Sequence, residues 1–138
     1  MKSSAIGARC PMTIEPHFLL DTNICICLLE GRGGDIVRQR IEAAARGALV
    51  TSTIVQAEVM IGAADRDMIG ASGALFAMIP PLPFDQAAAR VYATLPFRRG
   101  NLDRLIAAHA LSLGLTLITN NERDFADIPG LSVENWTR

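Results

Sequence analysis

The chain has 138 residues, a formal charge of -1 at pH 7 and 50% apolar residues. This length suits one domain with a sizeable core, and the composition excludes a disordered chain. The 13 basic and 14 acidic residues nearly balance. This balance excludes nucleic-acid binding through a large net positive charge, although it leaves room for a local basic patch.

The chain carries no sign of a membrane span or a secretory leader. No run reaches the roughly 18–20 apolar residues that a spanning helix needs, and residues 1–10 lack the apolar segment of a signal peptide. Strong patterning begins at His17, so we expect 1–14 to be a flexible tail, with Met12 as an alternative start, and 15–138 to be one domain. Three cysteines argue against a disulfide framework and favour a cytoplasmic protein.

Short apolar runs alternate with amphipathic segments along the chain. A short apolar run indicates a buried strand, capping side chains indicate helix starts, and glycines after periodic segments indicate helix ends. The predicted strands are 18–20, 48–51, 79–83, 115–119 and 131–134. The predicted helices are 24–29, 35–46, 54–64, much of 65–78, 85–95, 101–113 and the short 121–125.

This alternation predicts an α/β fold with a central, mainly parallel sheet of about four to five strands, flanked by helices. The prolines within 79–83 place that strand at the margin of the sheet, because proline cannot donate a ladder hydrogen bond.

Two acidic residues in the first half of the chain occupy unusual positions. Asp21 directly follows a predicted buried strand, where ligands bind in open α/β sheets, although a helix cap would explain it equally well. Glu58 lies in the apolar stripe formed with Ile54 and Ile61. A buried carboxylate costs several kcal/mol unless it is protonated, paired or bound to metal, and an arginine partner is the competing explanation.

Two more acidic residues occur in the second half. Asp103 opens a strongly apolar helix, and Asp124 follows the predicted strand 115–119, although each would also fit a favourable first-turn charge. If these residues converge with Asp21 and Glu58 at one sheet edge, mutual repulsion raises their pKa values. A hard divalent cation would relieve this repulsion, and oxygen ligands without cysteine or histidine favour Mg²⁺ or Mn²⁺ over zinc.

Basic residues surround one member of this acidic set. Arg98, Arg99 and Arg104 flank Asp103 and could hold phosphate groups, with a solvated loop as the alternative. His109 lies among alanines and leucines at helical spacing, and we expect it to pack or cap rather than to catalyse.

Four segments resemble, in order, the acidic motifs of PIN-domain ribonucleases. The match runs from about His17 to Trp136, and the VapC-type toxins of bacterial toxin–antitoxin pairs are the most similar subgroup. The segments are LLDTN (19–23), VQAEVMIG (55–62), DRLIAAHA (103–110) and TNNERDF (119–125), followed by the family's ending, IPGLSVENW (128–136).

The resemblance implies a three-layer PIN-like fold and a Mg²⁺- or Mn²⁺-dependent endoribonuclease. Such an enzyme cleaves cellular RNA (tRNA, rRNA or mRNA) through metal-activated water and inhibits translation and growth. The resemblance also implies a homodimer and a VapB-type antitoxin that neutralises the toxin in a heterotetramer or a larger complex.

The resemblance also implies roles for individual residues. The loop 96–100 is shorter than in many family members, which leaves the local path of the RNA groove open. The implied metal ligands are Asp21, Glu58 and Asp103 with Asp124 as a fourth acid, the implied polar support is Thr22, Asn23, Thr119 and Asn121, and the expected RNA contacts are Arg98, Arg99 and Arg104.

Two other functions compete with this one. A haloacid-dehalogenase-like phosphatase would need a second aspartate two residues after Asp21, where this chain has Asn23, and a catalytic lysine, whereas its only lysine is Lys2. A catalytically weak or inactive PIN-like module that binds RNA or protein is the second alternative. Such modules typically lose one acidic residue, and this chain keeps all four.

Overall fold

The computed structural model describes residues 15–31, 34–65, 67–96 and 102–138. The predicted tail 1–14 and the loop residues Arg98 and Arg99 lie outside these ranges. The described residues form a five-stranded sheet in the order β3-β2-β1-β4-β5, in which every neighbouring pair is parallel. The strands are β1 (Phe18–Leu20), β2 (Leu49–Ser52), β3 (Pro81–Leu82), β4 (Thr116–Ile118) and β5 (Val133–Glu134).

Helices connect the strands and flank the sheet, which confirms the predicted α/β class. Element types and their order match the prediction, and most ends differ by one to three residues. The helices are α1 (Thr22–Glu30), α2 (Gly34–Ala43), α3 (Thr53–Asp65), α4 (Ile69–Met78), α5 (Gln86–Tyr92) and α6 (Asp103–Leu113), with a 3₁₀ helix at Glu122–Phe125. No helix in the described ranges is long and apolar enough to cross a membrane.

The central strand β1 fixes the register of the sheet. Leu19 pairs with Val50 of β2 on one side and with Leu117 of β4 on the other. These residues are buried, as expected for a parallel sheet whose two faces are both covered. Because the strands are parallel, their carboxyl ends meet at one edge, from which α1 and α3 begin.

Local chemistry sets where the helices begin and end. The Asp21 carboxylate accepts a hydrogen bond from the Ile24 N–H at 2.9 Å, which caps α1. Gly31 and Gly114 end α1 and α6 in the left-handed region, at φ 70° and 69°, which glycine adopts without strain. The cap ties the direction of α1 to the first residue after β1.

The strand β3 lies at the edge of the sheet, as its prolines predict. Pro81 lies opposite Thr51 of β2, and the Thr51 N–H donates a hydrogen bond to the Pro80 carbonyl at 3.0 Å. The Pro80 carbonyl thus accepts from β2, and the prolines leave few N–H groups available for a further strand.

Candidate active site

Four acidic side chains interact at the carboxyl edge of the sheet. Asp21 follows β1, Glu58 lies in α3 directly after β2, Asp103 opens α6, and Asp124 lies in the 3₁₀ helix after β4. The charges of Asp103 and Glu58 act on Asp21, and those of Asp124 and Glu58 act on Asp103. The parallel topology therefore brings together carboxylates that are up to about a hundred residues apart in sequence.

Asp21 is the most enclosed of the four, with 4% of its surface exposed. Burial raises its pKa from 3.8 to about 6, because the charged form loses its hydration, and repulsion from Asp103 and Glu58 acts in the same direction. Hydrogen bonds from the Thr119 hydroxyl and the Ile24 N–H oppose this increase. The carboxylate is thus oriented by donors while its charge remains uncompensated.

Asp103 and Asp124 form a coupled pair. Burial raises the pKa of Asp103, and the charges of Asp124 and Glu58, together with a hydrogen bond between the Asp103 and Asp124 carboxyl groups, raise it further. The guanidinium of Arg104 acts in the opposite direction. Asp124 is exposed and accepts a 2.6 Å hydrogen bond from Asn121 Nδ2. The pair is therefore more open to solvent than Asp21.

Three of the four predicted polar supports contact the acidic set. The Thr22 hydroxyl donates to Glu58 Oε1 at 2.5 Å, which joins the start of α1 to α3. Thr119 is fully buried; besides its bond to Asp21, its Oγ1 accepts the Asn121 N–H at 3.1 Å. Asn23, by contrast, is exposed in the first turn of α1.

Arg104 does not lie where an RNA contact was expected. Its side chain is only 2% exposed, and its Nη2 donates to both carboxylate oxygens of Asp127 at 2.8 Å. The expectation failed because Arg104 faces the core side of α6, where a buried guanidinium needs a carboxylate partner. Asp127 itself was missed, since an aspartate in a loop carries no sequence signal for burial of an arginine.

Comparison with known proteins assigns this chain to a family. The family model described as "PIN domain" matches residues 18–131. The chain is also 33% identical over 131 residues to the tRNA(fMet)-specific endonuclease VapC of Shigella flexneri, an alignment that covers 87% of this chain and 98% of the relative. The chain belongs to the PIN-domain family and to its VapC group.

Solved structures agree with this PIN-domain assignment. A chain in the structure of VapBC-1 from nontypeable Haemophilus influenzae has a TM-score of 0.75 and 31% identity, and the match covers 88% of this chain and 98% of that one. A chain in VapBC2 from Rickettsia felis, bound to a DNA fragment from their promoter, has a TM-score of 0.74 at 28% identity, covering 86% and 98%.

A buried histidine supports the start of α3 in this PIN domain. Ser52 Oγ accepts the Ile54 N–H at 3.0 Å and lies 2.9 Å from His109 Nδ1. Burial lowers the pKa of His109, which keeps the ring neutral, and the ring also hydrogen-bonds to the Pro83 carbonyl. The carbonyl needs a donor, so the proton lies on Nε2 and Nδ1 accepts from Ser52. His109 packs edge-on against Phe84, which agrees with the expectation that it packs.

The acidic set of the PIN domain is suited to a hard cation. Its donors are carboxylate oxygens, which Mg²⁺ and Mn²⁺ prefer, and burial together with mutual repulsion raises the pKa values of Asp21 and Asp103. Within the described ranges, no three His, Cys, Asp or Glu side chains are already arranged as metal ligands.

Proposed function

We propose that this chain is a divalent-metal-dependent endoribonuclease of the VapC type. The observation that carries the proposal is the convergence of four carboxylates at the carboxyl edge of the sheet, with the pKa of Asp21 raised to about 6. Relatives named as VapC ribonucleases and endonucleases support the same reaction class.

The acidic residues would hold Mg²⁺ or Mn²⁺. Such a cation, when bound, supplies a Lewis acid that stabilises negative charge on a phosphodiester and lowers the pKa of water. Asp21, Glu58 and Asp103 would be the main ligands, and Asp124 would add a fourth carboxylate from the solvent side.

The neighbouring polar residues fix the acidic side chains before substrate arrives. Thr22 fixes one oxygen of Glu58, and Thr119 together with the Ile24 N–H fixes Asp21. Donors that hold a ligand in place reduce the reorganisation required when the ligand binds its target. Asp124 is exposed, so we propose that RNA approaches from the side of the 3₁₀ helix.

The proposed substrate is a cellular RNA of the translation apparatus, such as tRNA, rRNA or mRNA. The names of two relatives specify tRNA(fMet). Recognition of structured RNA depends on shape, stacking and single-stranded loops, so the target would be set by surfaces around the acidic set. Cleavage of such RNA in the cytoplasm would inhibit translation and growth.

The proposed protein partners are a VapB-type antitoxin and a second copy of this chain. Several structural neighbours are VapBC complexes. Large apolar side chains are exposed on α3 (Met60 and Ile61) and on α4 (Ile69 and Met78). Exposed apolar side chains on adjacent helices are typical of interfaces, which supports assembly into a dimer and a larger complex with antitoxin.

The decisive test compares two carboxylates in purified chains. With Mg²⁺ and total tRNA, Asp21→Asn should cut at least roughly 100-fold more slowly than wild type, the usual scale for losing one preorganised charged group. Glu122→Gln, in the same 3₁₀ helix as Asp124 but paired with Asn135 and Arg138, should cut at the wild-type rate.

Two results would overturn the proposal. Asp21→Asn could cut as fast as wild type, which would place the reaction elsewhere. Alternatively, wild type could bind RNA without any Mg²⁺- or Mn²⁺-dependent cleavage, which would identify the chain as an inactive binding module. In every case where RNA is cut, primer extension distinguishes specific cleavage from a contaminating nuclease, because only specific cleavage gives a dominant 5′ end.

A further inference from the structure

Arg104 is a buried cation next to a residue of the acidic set. It is the second residue of α6, directly after Asp103, and is among the largest fully buried side chains in the described ranges. Its partner Asp127 lies 23 residues later, just beyond the 3₁₀ helix, with a side chain that is 39% exposed. The ion pair therefore joins the first turn of α6 to the segment that follows the 3₁₀ helix.

The two elements joined by this pair also carry two of the acidic residues. Asp103 opens α6, and Asp124 lies in the 3₁₀ helix. Their carboxyl groups are hydrogen-bonded, although their charges repel. A four-residue 3₁₀ helix has little stability of its own, so its position depends on contacts with the rest of the protein.

A purely stabilising role does not explain a buried arginine well. Nε and Nη1 of Arg104 are buried without a hydrogen-bond partner among the described residues. A buried ion pair with unsatisfied donors commonly stabilises a fold no better than apolar residues of the same size. The guanidinium is nevertheless near enough to Asp103 to oppose the increase in its pKa.

We infer that Arg104 and Asp127 are positioning residues for the acidic set. Their ion pair holds the 3₁₀ helix against the first turn of α6 and keeps Asp124 beside Asp103, so that both carboxylates face the same divalent cation. This inference rests on the proposed function for its metal, whereas the placement of the 3₁₀ helix can be tested without one.

The test uses the full chain and Mn²⁺ as the probe. Mn²⁺ affinity is measured by titration calorimetry without RNA, in wild type, Asp127→Asn and Arg104→Met. Both variants should bind Mn²⁺ about 10- to 100-fold more weakly, the usual effect of losing a group that orients a metal ligand. The KM for RNA at saturating Mg²⁺ should remain within about twofold, since Arg104 is buried and Asp127 is engaged by its guanidinium.

The direction of the Arg104→Met effect is decisive. Electrostatics alone predicts that removing a cation beside carboxylates tightens Mn²⁺ binding, whereas positioning predicts weaker binding. Arg104→Met also removes the buried charge and should remain folded even if Asp127→Asn, which leaves that charge unpaired, does not. Unchanged or tighter Mn²⁺ binding by Arg104→Met would overturn the inference, as would a raised KM with unchanged Mn²⁺ affinity.

Val37→Ala serves as the matched control, because Val37 is buried in α2, which carries no member of the set formed by Asp21, Glu58, Asp103 and Asp124. It should lower thermal stability and leave Mn²⁺ affinity unchanged; an equal loss of affinity in this variant would reduce the ion pair to a stabilising role.

Amide hydrogen exchange over residues 122–128 separates this inference from the proposed function. Exchange there should accelerate in both site variants without any metal, and unchanged exchange would overturn the positioning role. If wild type bound no Mn²⁺ and cut no RNA, the proposed function would fail. In that case, accelerated exchange would show that the ion pair positions the 3₁₀ helix, and the absence of Mn²⁺ binding would overturn its role in metal binding.

Discussion

Asp21 and Glu122 are two carboxylates in opposite environments. Asp21 is 4% exposed and its pKa is raised to about 6, first by burial and then by repulsion from other acids. Glu122 has a side chain that is 41% exposed. A hydrogen bond from Asn135 lowers its pKa, and Arg138, which donates to both of its carboxylate oxygens, acts in the same direction.

The difference shows what would distinguish a metal-binding carboxylate from a structural one. The charge of Glu122 is already balanced by partners within the chain, so little attraction for a further cation remains. The charge of Asp21 is oriented by donors but not balanced, which makes ionisation costly until a cation arrives. Asp21 follows β1 and Glu122 lies shortly after β4. Position at the end of a strand would therefore not by itself distinguish the two carboxylates.

The largest expected effect is on catalysis, when a charge is removed from the acidic set that contains Asp21. Glu58→Gln keeps the shape of the side chain and removes one charge from the acidic set, so cleavage should fall roughly 100- to 1000-fold at fixed Mg²⁺. Single-turnover cleavage of a defined RNA measures this directly. A rate within tenfold of wild type would remove Glu58 from the proposed ligands.

The second expected effect is on folding. The folded-state pKa of Asp21 is about 6, above its unfolded value of 3.8, so its ionisation costs the folded chain stability as pH rises from 3.8 to about 6, and the full cost remains above that pH. Asp21→Asn should therefore raise the unfolding free energy of the metal-free chain at pH 7.5 by up to about 3 kcal/mol. Asparagine retains the cap on α1.

The pH dependence of this gain provides its control. Below the unfolded pKa, both states of the wild-type aspartate are protonated, so the advantage of Asp21→Asn should disappear near pH 3.5. Urea titrations at pH 7.5 and pH 4 would test the trend. A gain of equal size at both values would assign the effect to something other than ionisation.

A smaller effect is expected from the hydroxyl that orients Glu58. Thr22→Val keeps the shape of the side chain and removes the 2.5 Å hydrogen bond to Glu58. The Mg²⁺ concentration that gives half-maximal cleavage should rise about tenfold, with partial recovery at saturating Mg²⁺. An unchanged Mg²⁺ dependence would mean that Thr22 does not act through the metal.

The smallest expected effect lies at Glu122. Its folded-state pKa is lowered, so the interaction stabilises the fold above the unfolded value of 4.5 and is lost as pH falls through the folded value. Glu122→Gln should slightly lower the melting temperature at pH 7, and 0.5 M NaCl should reduce that difference by screening the ion pair. A large, salt-insensitive loss would contradict this account.

Much of the fold follows from local patterns in the sequence. Buried strands such as Phe18–Leu20 are short apolar runs, and Asp85 caps α5 as its position predicts. The ends of helices were predicted less accurately. The helix α2 ends at Ala43, before the predicted 46, because the end of a helix depends on packing as well as on a following glycine.

Asp21 was predictable because it directly follows a buried strand. The apolar stripe predicted around Glu58 was wrong, because Ile61 is exposed and the buried face of α3 is formed by Val55, Val59 and Ala63. Asp124 is exposed as well, so the ordered motifs, and not burial, pointed to it.

The environment of Arg104 was not predictable, since neighbours in sequence do not reveal which face of a helix is buried when both faces carry apolar residues. Apolar residues surround the position on α6, and the partner Asp127 is in a loop. Such a pairing follows from tertiary contacts alone.

The proline-rich strand β3 has a consequence for self-association. Across residues 80–83, only Leu82 has an amide hydrogen, because Pro80, Pro81 and Pro83 have none. An extended segment from another chain therefore finds few donors at this edge and cannot lengthen the sheet into a continuous ladder. At high local concentration this edge therefore resists amyloid-like stacking, because backbone donors for a neighbouring strand are scarce.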